Sequence, residues 1–187
     1  MKVLEHICAT RTFKKKLEAS RTRLYRMALA WCGDPMLADD LVQDTLIKAM
    51  QKSHQLRDGN KLEHWLSAIL SNTWREHLRR QKPGVEIDDE MFVCENCPEV
   101  EMTSQEIVNR VRRAVGKLPI GQREVLTLVD LEGFAYAETA EILDIPVGTV
   151  MSRLCRARRA LTGFLTDLHM PATAASEAGR PHLRRVK

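Results

Sequence analysis

The sequence predicts an all-α fold: two small helical domains joined by a flexible acidic linker. Three observations lead there. Apolar residues recur at helical spacing in two long blocks. Between the blocks, Gly84 to Asn109 holds no Lys or Arg, but contains Glu86, Asp88, Asp89, Glu90, Glu95, Glu99, Glu101 and Glu106. Inside the second block, Phe134 to Leu161 reads as two helices about a tight turn.

A length of 187 residues suits one large domain or two small ones. The formal net charge of +4 is compatible with a nucleic-acid partner without identifying one. No apolar run approaches the roughly 20 residues of a membrane span. The start, MKVLEHICATRTFKKK, lacks the uninterrupted apolar core of a signal peptide. The expectation is a cytoplasmic protein, and five scattered cysteines imply no disulfide framework.

The first domain is expected over 12–82. Residues 1–11 read as a loose lead-in. Phe13, Leu17, Leu24, Met27, Ala28 and Trp31 mark an amphipathic helix that Gly33-Asp34-Pro35 ends. The next helix spans about Met36 to Gln51, with Ala38, Leu41, Val42, Thr45 and Ala49 as its core face. On its other side Asp40, Gln43 and Asp44 surround Ile47, near Met50. An apolar residue ringed by acids is what a protein dock looks like. A solvated face with one stray Ile is the equal alternative on these residues alone. The polar stretch Ser53 to Lys61 reads as a loop.

A third helix follows, about Leu62 to Arg80, turning Leu66, Ile69, Leu70, Thr73 and His77 inward. Ala68, Asn72, Arg75 and Arg79 share a separate stripe, with Trp65 and Trp74 on the same helix. Guanidinium, amide and aromatic groups on one helix suit single-stranded DNA, through phosphates, base edges and base faces. Core burial is the simpler fate of each Trp taken singly.

The stretch 83–103 reads as the linker. The second domain is expected over 104–165, and 166–187 as a disordered tail. Ser104 suits the N-cap of a helix to about Leu118, with Ile107, Val111 and Val115 on one face. A helix over about Gln122 to Leu131 follows, then one over Tyr136 to Leu143. Pro146 cannot sit inside a helix but suits the start of the next. On that last helix Val150, Leu154, Ala157 and Leu161 face inward. Gly148, Thr149, Ser152, Cys155, Arg156 and Arg159 face outward, with Met151 and Arg153 at the edges. An apolar back and a small-plus-Arg front fit a major groove, which is helix-turn-helix geometry with the second helix as reader. An ordinary helical hairpin with a solvated basic face is the alternative.

Two blocks in order carry a family resemblance. MLADDLVQDTLIKAM followed by HWLSAILSNTWREHLRR resembles region 2 of bacterial sigma factors. LPIGQREVLTLVDLEGFAYAETAEILDIPVGTVMSRLCRARRAL resembles their region 4. The short chain with a direct acidic linker looks like the extracytoplasmic-function (ECF) group. The resemblance implies a transcription-initiation subunit that binds core RNA polymerase and promoter DNA, duplex and single-stranded, under an anti-sigma factor, with no cofactor or metal. It implies a polymerase dock at Asp40, Gln43 and Asp44, on the face that also carries Ile47. It implies a flipped base of the minus-ten element at Asn72, with the Ser53–Lys61 loop helping to hold it. Arg75, Arg79 and Trp65 complete the expected single-strand track. Thr149, Met151, Ser152, Arg153, Cys155 and Arg156 match the positions that read the minus-thirty-five element, with Arg159 as an added phosphate anchor.

The sequence also departs from the family pattern. Met151 stands where a basic residue is common, and Cys155 where a larger side chain occurs. Ala135 replaces a capping Ser, a change worth about 1 kcal/mol at a helix end. Leu46 and Leu62 replace aromatics, and Glu63 a basic residue. Cys94 and Cys97 form a CxxC in the linker, but no second ligand pair accompanies them, and the acids around them disfavour a reactive thiolate. Two competing functions are a stand-alone helix-turn-helix regulator and an enzyme or redox switch built on Cys and His. The first is separated from a sigma subunit by the dock. The second lacks a nucleophile–base pair or a phosphate-cradling Gly loop.

Overall fold

The longest element, α1 (Lys2–Cys32), runs without a break because no Gly or Pro interrupts it before Gly33. In this computed structural model residues 2–56, 58–81 and 104–166 are described, with side-chain environments over 12–56, 58–81 and 110–164. The expected loose lead-in is therefore helical from Lys2. Residues 1–11 hold no Gly or Pro, and Val3, Leu4, Ile7 and Cys8 recur at helical spacing, a signal that the short, mixed composition of the stretch obscured.

Gly33 takes a positive φ of 72°, and Asp34 caps α2 (Pro35–Gln51). The Asp34 carboxylate accepts the N–H groups of Met36 at 2.8 Å and Leu37 at 3.4 Å. Pro35 occupies the first helical position, where a missing N–H is harmless. Two short 3₁₀ turns, Ser53–Gln55 and Gly59–Lys61, replace the expected irregular loop and lead into α3 (Leu62–Gln81). The inward faces meet as expected. Leu24, Met27 and Trp31 of α1, Ala38, Leu41, Val42 and Ala49 of α2, and Leu66, Ile69 and Leu70 of α3 are all buried. Leu62 is buried and Leu46 partly so, so aliphatics fill the places expected of aromatics.

The second unit comprises α4 (Ser104–Gly116), α5 (Ile120–Leu126), α6 (Tyr136–Leu143) and α7 (Val147–Thr166). Toward the end of α4 Ala114 and Val115 are buried, whereas Val111 is 40% exposed, against its expected place on the core face. The helix read as Gln122–Leu131 is α5 continued by a π-helical turn, Thr127–Leu131, that closes at Gly133 with φ 76°. Ala135 offers no capping oxygen to α6, but the Glu138 carboxylate accepts the Ala135 N–H at 2.8 Å, half of a capping box. Asp144 ends α6 in the left-handed region at φ 50°, which a short polar side chain tolerates. The Pro146 carbonyl then accepts the N–H groups of Thr149 and Val150, starting α7. Val150, Leu154 and Ala157 are buried; Leu161 is only partly so.

The two units share one hydrophobic cluster, which joins Leu24, Met27 and Trp31 to Leu118, Leu128, Phe134 and Leu143. α1 packs on α4, α5 and the π-helical turn, and α3 packs on α6. Polar contacts tie the seam. Glu132, with its side chain 5% exposed, accepts Arg23 Nε at 2.6 Å and lies 3.8 Å from Arg26. Arg23 also donates to the Glu132 carbonyl at 3.0 Å and stacks 4.9 Å over the Phe134 ring. The expected picture of two bodies on a tether is thus incomplete: both are present, and they bury a common surface. The predicted linker and tail, with Cys94 and Cys97, lie outside the described residues.

Arg123 is buried and donates to three main-chain carbonyls: Trp31 across the seam at 2.6 Å, and Gly116 and Leu118 in its own unit at 2.5 and 2.9 Å. It stays charged, although burial draws its pKa down. Arg123→Met keeps the apolar stem and leaves these carbonyls without that donor. It should lower stability to urea by about 3 kcal/mol, whereas Arg156→Met on the exposed side of α7 should change it by less than about 0.5 kcal/mol. Equal urea midpoints for the two variants would refute the strut.

Candidate polymerase and nucleic-acid interfaces

The face of α2 marked as a dock is one wall of a groove. Asp40, Gln43, Asp44 and Ile47 line it from α2, and Thr73, Glu76, His77 and Arg80 line it from α3. The mechanism is simple geometry. Ala38, Leu41, Val42, Thr45 and Ala49 are all buried, which turns the intervening residues outward. Ile47 is 54% exposed and lines the groove with Asp40, Gln43 and Asp44, while Met50, 46% exposed, is not among its lining residues. Thr45 conceals its hydroxyl by donating to the Leu41 carbonyl at 2.7 Å.

The α3 wall was not legible from α2. Lys48 crosses the gap to Glu76 at 2.7 Å and donates to Thr73 Oγ1 at 3.1 Å. That bond is the chief reason the Glu76 carboxyl sits below its ordinary pKa. His77, expected to face inward, is half-buried and stacks on buried Trp74 at 5.9 Å between ring centroids. Only the spacing of Lys48 and Glu76 on two separately predicted helices could have hinted at the brace, and a helical wheel treats each helix alone.

The single-strand stripe on α3 is divided. Asn72 and Arg79 are exposed. Trp74 is core, and Trp65 is half-buried against the core. Arg75 does not face open solvent with its stripe: its guanidinium donates to the Leu143 carbonyl at the end of α6. His64, on the same stripe three turns before Arg75, stands 3.3 Å from the Glu141 carboxylate and packs edge-on to Phe134 at 6.5 Å. Glu63, where a basic residue was expected, accepts Ser20 Oγ at 2.7 Å and lies 3.4 Å from Arg23. The second unit therefore covers part of the stripe.

On α7, Met151, Ser152, Cys155, Arg156 and Arg159 are exposed, and Thr149 and Arg153 are half-buried. Ser152 donates to the Thr149 carbonyl at 3.1 Å. Arg158 faces elsewhere: it grips Asp130 of the π-helical turn with two bonds, at 2.6 and 3.0 Å, which raises its pKa. Buried Val150, Leu154 and Ala157 set the rotation of α7 and so aim the outward residues, and this exposed clamp adds to them. Among the described residues no group of His, Cys, Asp and Glu is gathered that could hold a metal ion. Nor is any described helix long and apolar enough to cross a membrane.

Comparison with known proteins gives two family matches, sigma-70 region 2 over residues 17–83 and sigma-70 region 4 over 109–161. The ECF RNA polymerase sigma factor EcfG of Rhodopseudomonas palustris (strain TIE-1) is 34% identical over 83% of this chain and 86% of its own length. The ECF RNA polymerase sigma factor SigM of Mycobacterium tuberculosis is 31% identical over 88% of this chain and 83% of its own. Among solved structures, the sigma factor RpoE bound to the anti-sigma factor NepR from Bartonella quintana superposes with a TM-score of 0.69. It is 30% identical and covers 83% of this chain and 98% of that one. CnrH in complex with the cytosolic domain of CnrY gives 0.61, at 26% identity, over 86% and 90%.

The Lys48–Glu76 brace carries a pH signature. A carboxyl held below its unfolded pKa adds stability above the unfolded value and loses it as pH falls through the folded value. The pair is partly exposed, so its contribution is below about 1 kcal/mol. Glu76→Gln should lose a few tenths of a kcal/mol at neutral pH and converge on the wild type in acid, once pH falls below the lowered pKa of the carboxyl. Urea midpoints at the two pH values test this; a difference that persists unchanged into acid would show that the brace is not ionic.

Proposed function

The chain belongs to the ECF group of sigma-70 family RNA polymerase sigma factors, and on that premise we propose how its surfaces divide the work of starting transcription. The groove between α2 and α3 is the dock for core polymerase, with Asp40, Gln43 and Asp44 pairing to basic groups around an apolar seat for Ile47. Asn72 captures a flipped base of the minus-ten element, with Arg75, Arg79 and Trp65 along the strand. α7 reads the minus-thirty-five duplex through Thr149, Met151, Ser152, Arg153, Cys155 and Arg156, and Arg159 anchors phosphate. The chain works in the cytoplasm, beside its polymerase, and performs no chemistry itself; it positions DNA for the polymerase. The observation that carries this reading is the convergence of the α2 acids and exposed Ile47 in one groove of a chain with both sigma regions. A stand-alone DNA-binding regulator has no use for that groove.

The closed seam bears on how the factor is held and released. Asn72 lies three residues from Arg75, which bonds the Leu143 carbonyl, and Leu143 lies four residues before α7. At about 3.8 Å per residue, with about 10 Å for the Arg75 side chain and its bond, Asn72 is therefore within about 40 Å of the start of α7. Promoter elements about 25 base pairs apart span about 85 Å at 3.4 Å per step. The two units must part before both elements are held at once. A cognate anti-sigma factor that binds the closed arrangement would keep the promoter surfaces apart from their targets. The superposition with RpoE in its complex with NepR supports this reading.

Asp44→Arg reverses charge at an exposed position, so it should abolish co-elution with core polymerase while leaving the helical circular dichroism and urea midpoint unchanged. Retained polymerase binding by the folded variant would remove the dock. Asn72→Ala should impair promoter opening, read by permanganate reactivity of unpaired thymines. It should spare upstream duplex binding, read by mobility shift, and equal loss in both assays would count against capture of a base.

A further inference from the structure

The outward edge of α7 has a chemistry that the general reading of a DNA-reading helix leaves open. Val147 is 43% exposed and Met151 53%, and Cys155 is also exposed. They stand at i, i+4 and i+8, on successive turns of one edge. Beside them Gly148 is exposed, with nothing within 4 Å of where a Cβ would be, so the backbone there is open to close approach. Ser152 directs its hydroxyl hydrogen to the Thr149 carbonyl inside the helix. Arg158 is engaged by Asp130. Along this edge the helix therefore offers methyl and thioether groups in its first two turns and a thiol in the third, while the guanidinium of half-buried Arg153 lies at the opposite edge of the outward face. Arg156 and Arg159 lie beyond the first two turns, where they supply positive charge for phosphate.

We propose that Val147 and Met151 read thymine 5-methyl groups in the major groove of the minus-thirty-five element, making this part of the promoter a methyl-dependent rather than a hydrogen-bonded contact. The inference rests on α7 being the duplex reader. The first turns of a recognition helix are those that reach base edges, and an apolar side chain's partner in the major groove is the thymine methyl. Single exposed apolar residues are ordinary, but here two flank an open glycine at the reading end of the helix and are bordered by arginines. Val147 and Met151 are separated by about 6 Å along α7, against about 3.4 Å per base step, so the two thymines lie one or two steps apart.

The test uses the full chain bound to core polymerase and duplex DNA. Sequences retained from a random upstream element are identified first. Each thymine in the preferred element is then replaced by deoxyuridine, which keeps the base pair and its O4 acceptor and removes only the methyl. Replacement at one or two positions should weaken binding about three- to fivefold each, the worth of one buried methyl group. Met151→Ala should abolish sensitivity at one of these positions and leave the other, while keeping the wild-type urea midpoint because Met151 is exposed. Deoxyuridine that is neutral at every position overturns the proposal. Arg156→Ala separates the two levels of failure. If it weakens duplex binding while deoxyuridine is neutral, α7 reads DNA by another chemistry. If it changes nothing, α7 is not the reader, and the proposal falls together with its premise.

Discussion

The structure depends on a carboxylate–guanidinium contact, with the carboxylate buried and Arg23 half-buried, at the boundary of its two units. The Glu132 side chain is almost wholly enclosed, and Arg23 reaches both its carboxylate and its carbonyl. An ion pair removed from water is stabilising only when the remaining hydrogen-bonding capacity is met and the geometry is good. Here Arg23 meets that demand with the Glu63 carboxylate and the face of Phe134 as further partners. Such a contact tolerates little displacement, unlike a purely apolar patch, which could slide. It therefore fixes the register in which α1 meets the π-helical turn, and with it the position of α6 over α3.

That register places functional groups in competition. Arg75 serves the seam through the Leu143 carbonyl, yet it belongs to the stripe on α3 that is proposed to follow single-stranded DNA. The dock behaves differently. Its groove lies between α2 and α3, and its acidic rim and exposed Ile47 take no part in the seam. The closed molecule thus leaves the proposed polymerase surface accessible while it partly covers the proposed strand surface. Engagement with polymerase can precede the parting of the units, because the first surface needs no rearrangement and the second does.

Much of this was legible in the sequence, for a definite reason. The inward face of α2 matched residue for residue, and α6 has the predicted bounds, because both are short amphipathic helices bounded by strong signals: Asp34-Pro35 for one, Pro146 for the other. The outward residues of α7 followed from the same periodicity. Three features were not legible. The N-terminal extension of α1 is short and of mixed composition, although Val3, Leu4, Ile7 and Cys8 recur at helical spacing. The π-helical turn after α5 has the composition of any helix. The seam involves Arg23 with Glu132 and Arg123 with Trp31, pairs far apart in sequence, and nothing in a charged residue's local neighbourhood distinguishes a buried partner from a solvated one. For the same reason Arg75 read as a DNA-facing residue.

The departures from the family pattern acquire a physical reading once the contacts are known. Glu63 replaces a basic residue and sits where Ser20 and Arg23 converge, so a positive charge there would face Arg23 instead of holding it. The substitution and the seam belong together. Ala135 removes a capping oxygen, and Glu138 recovers one of the two bonds of a full capping box, leaving the N3 donor of α6 without its usual side-chain acceptor. Met151 changes the reading surface without touching the fold, because it stands outward while Val150 and Leu154 hold the helix in place. Residues that anchor α7 and residues that face outward from it thus alternate along one helix. A sigma factor can therefore change its outward chemistry through positions such as 151 and 155 while the core that aims the helix stays fixed.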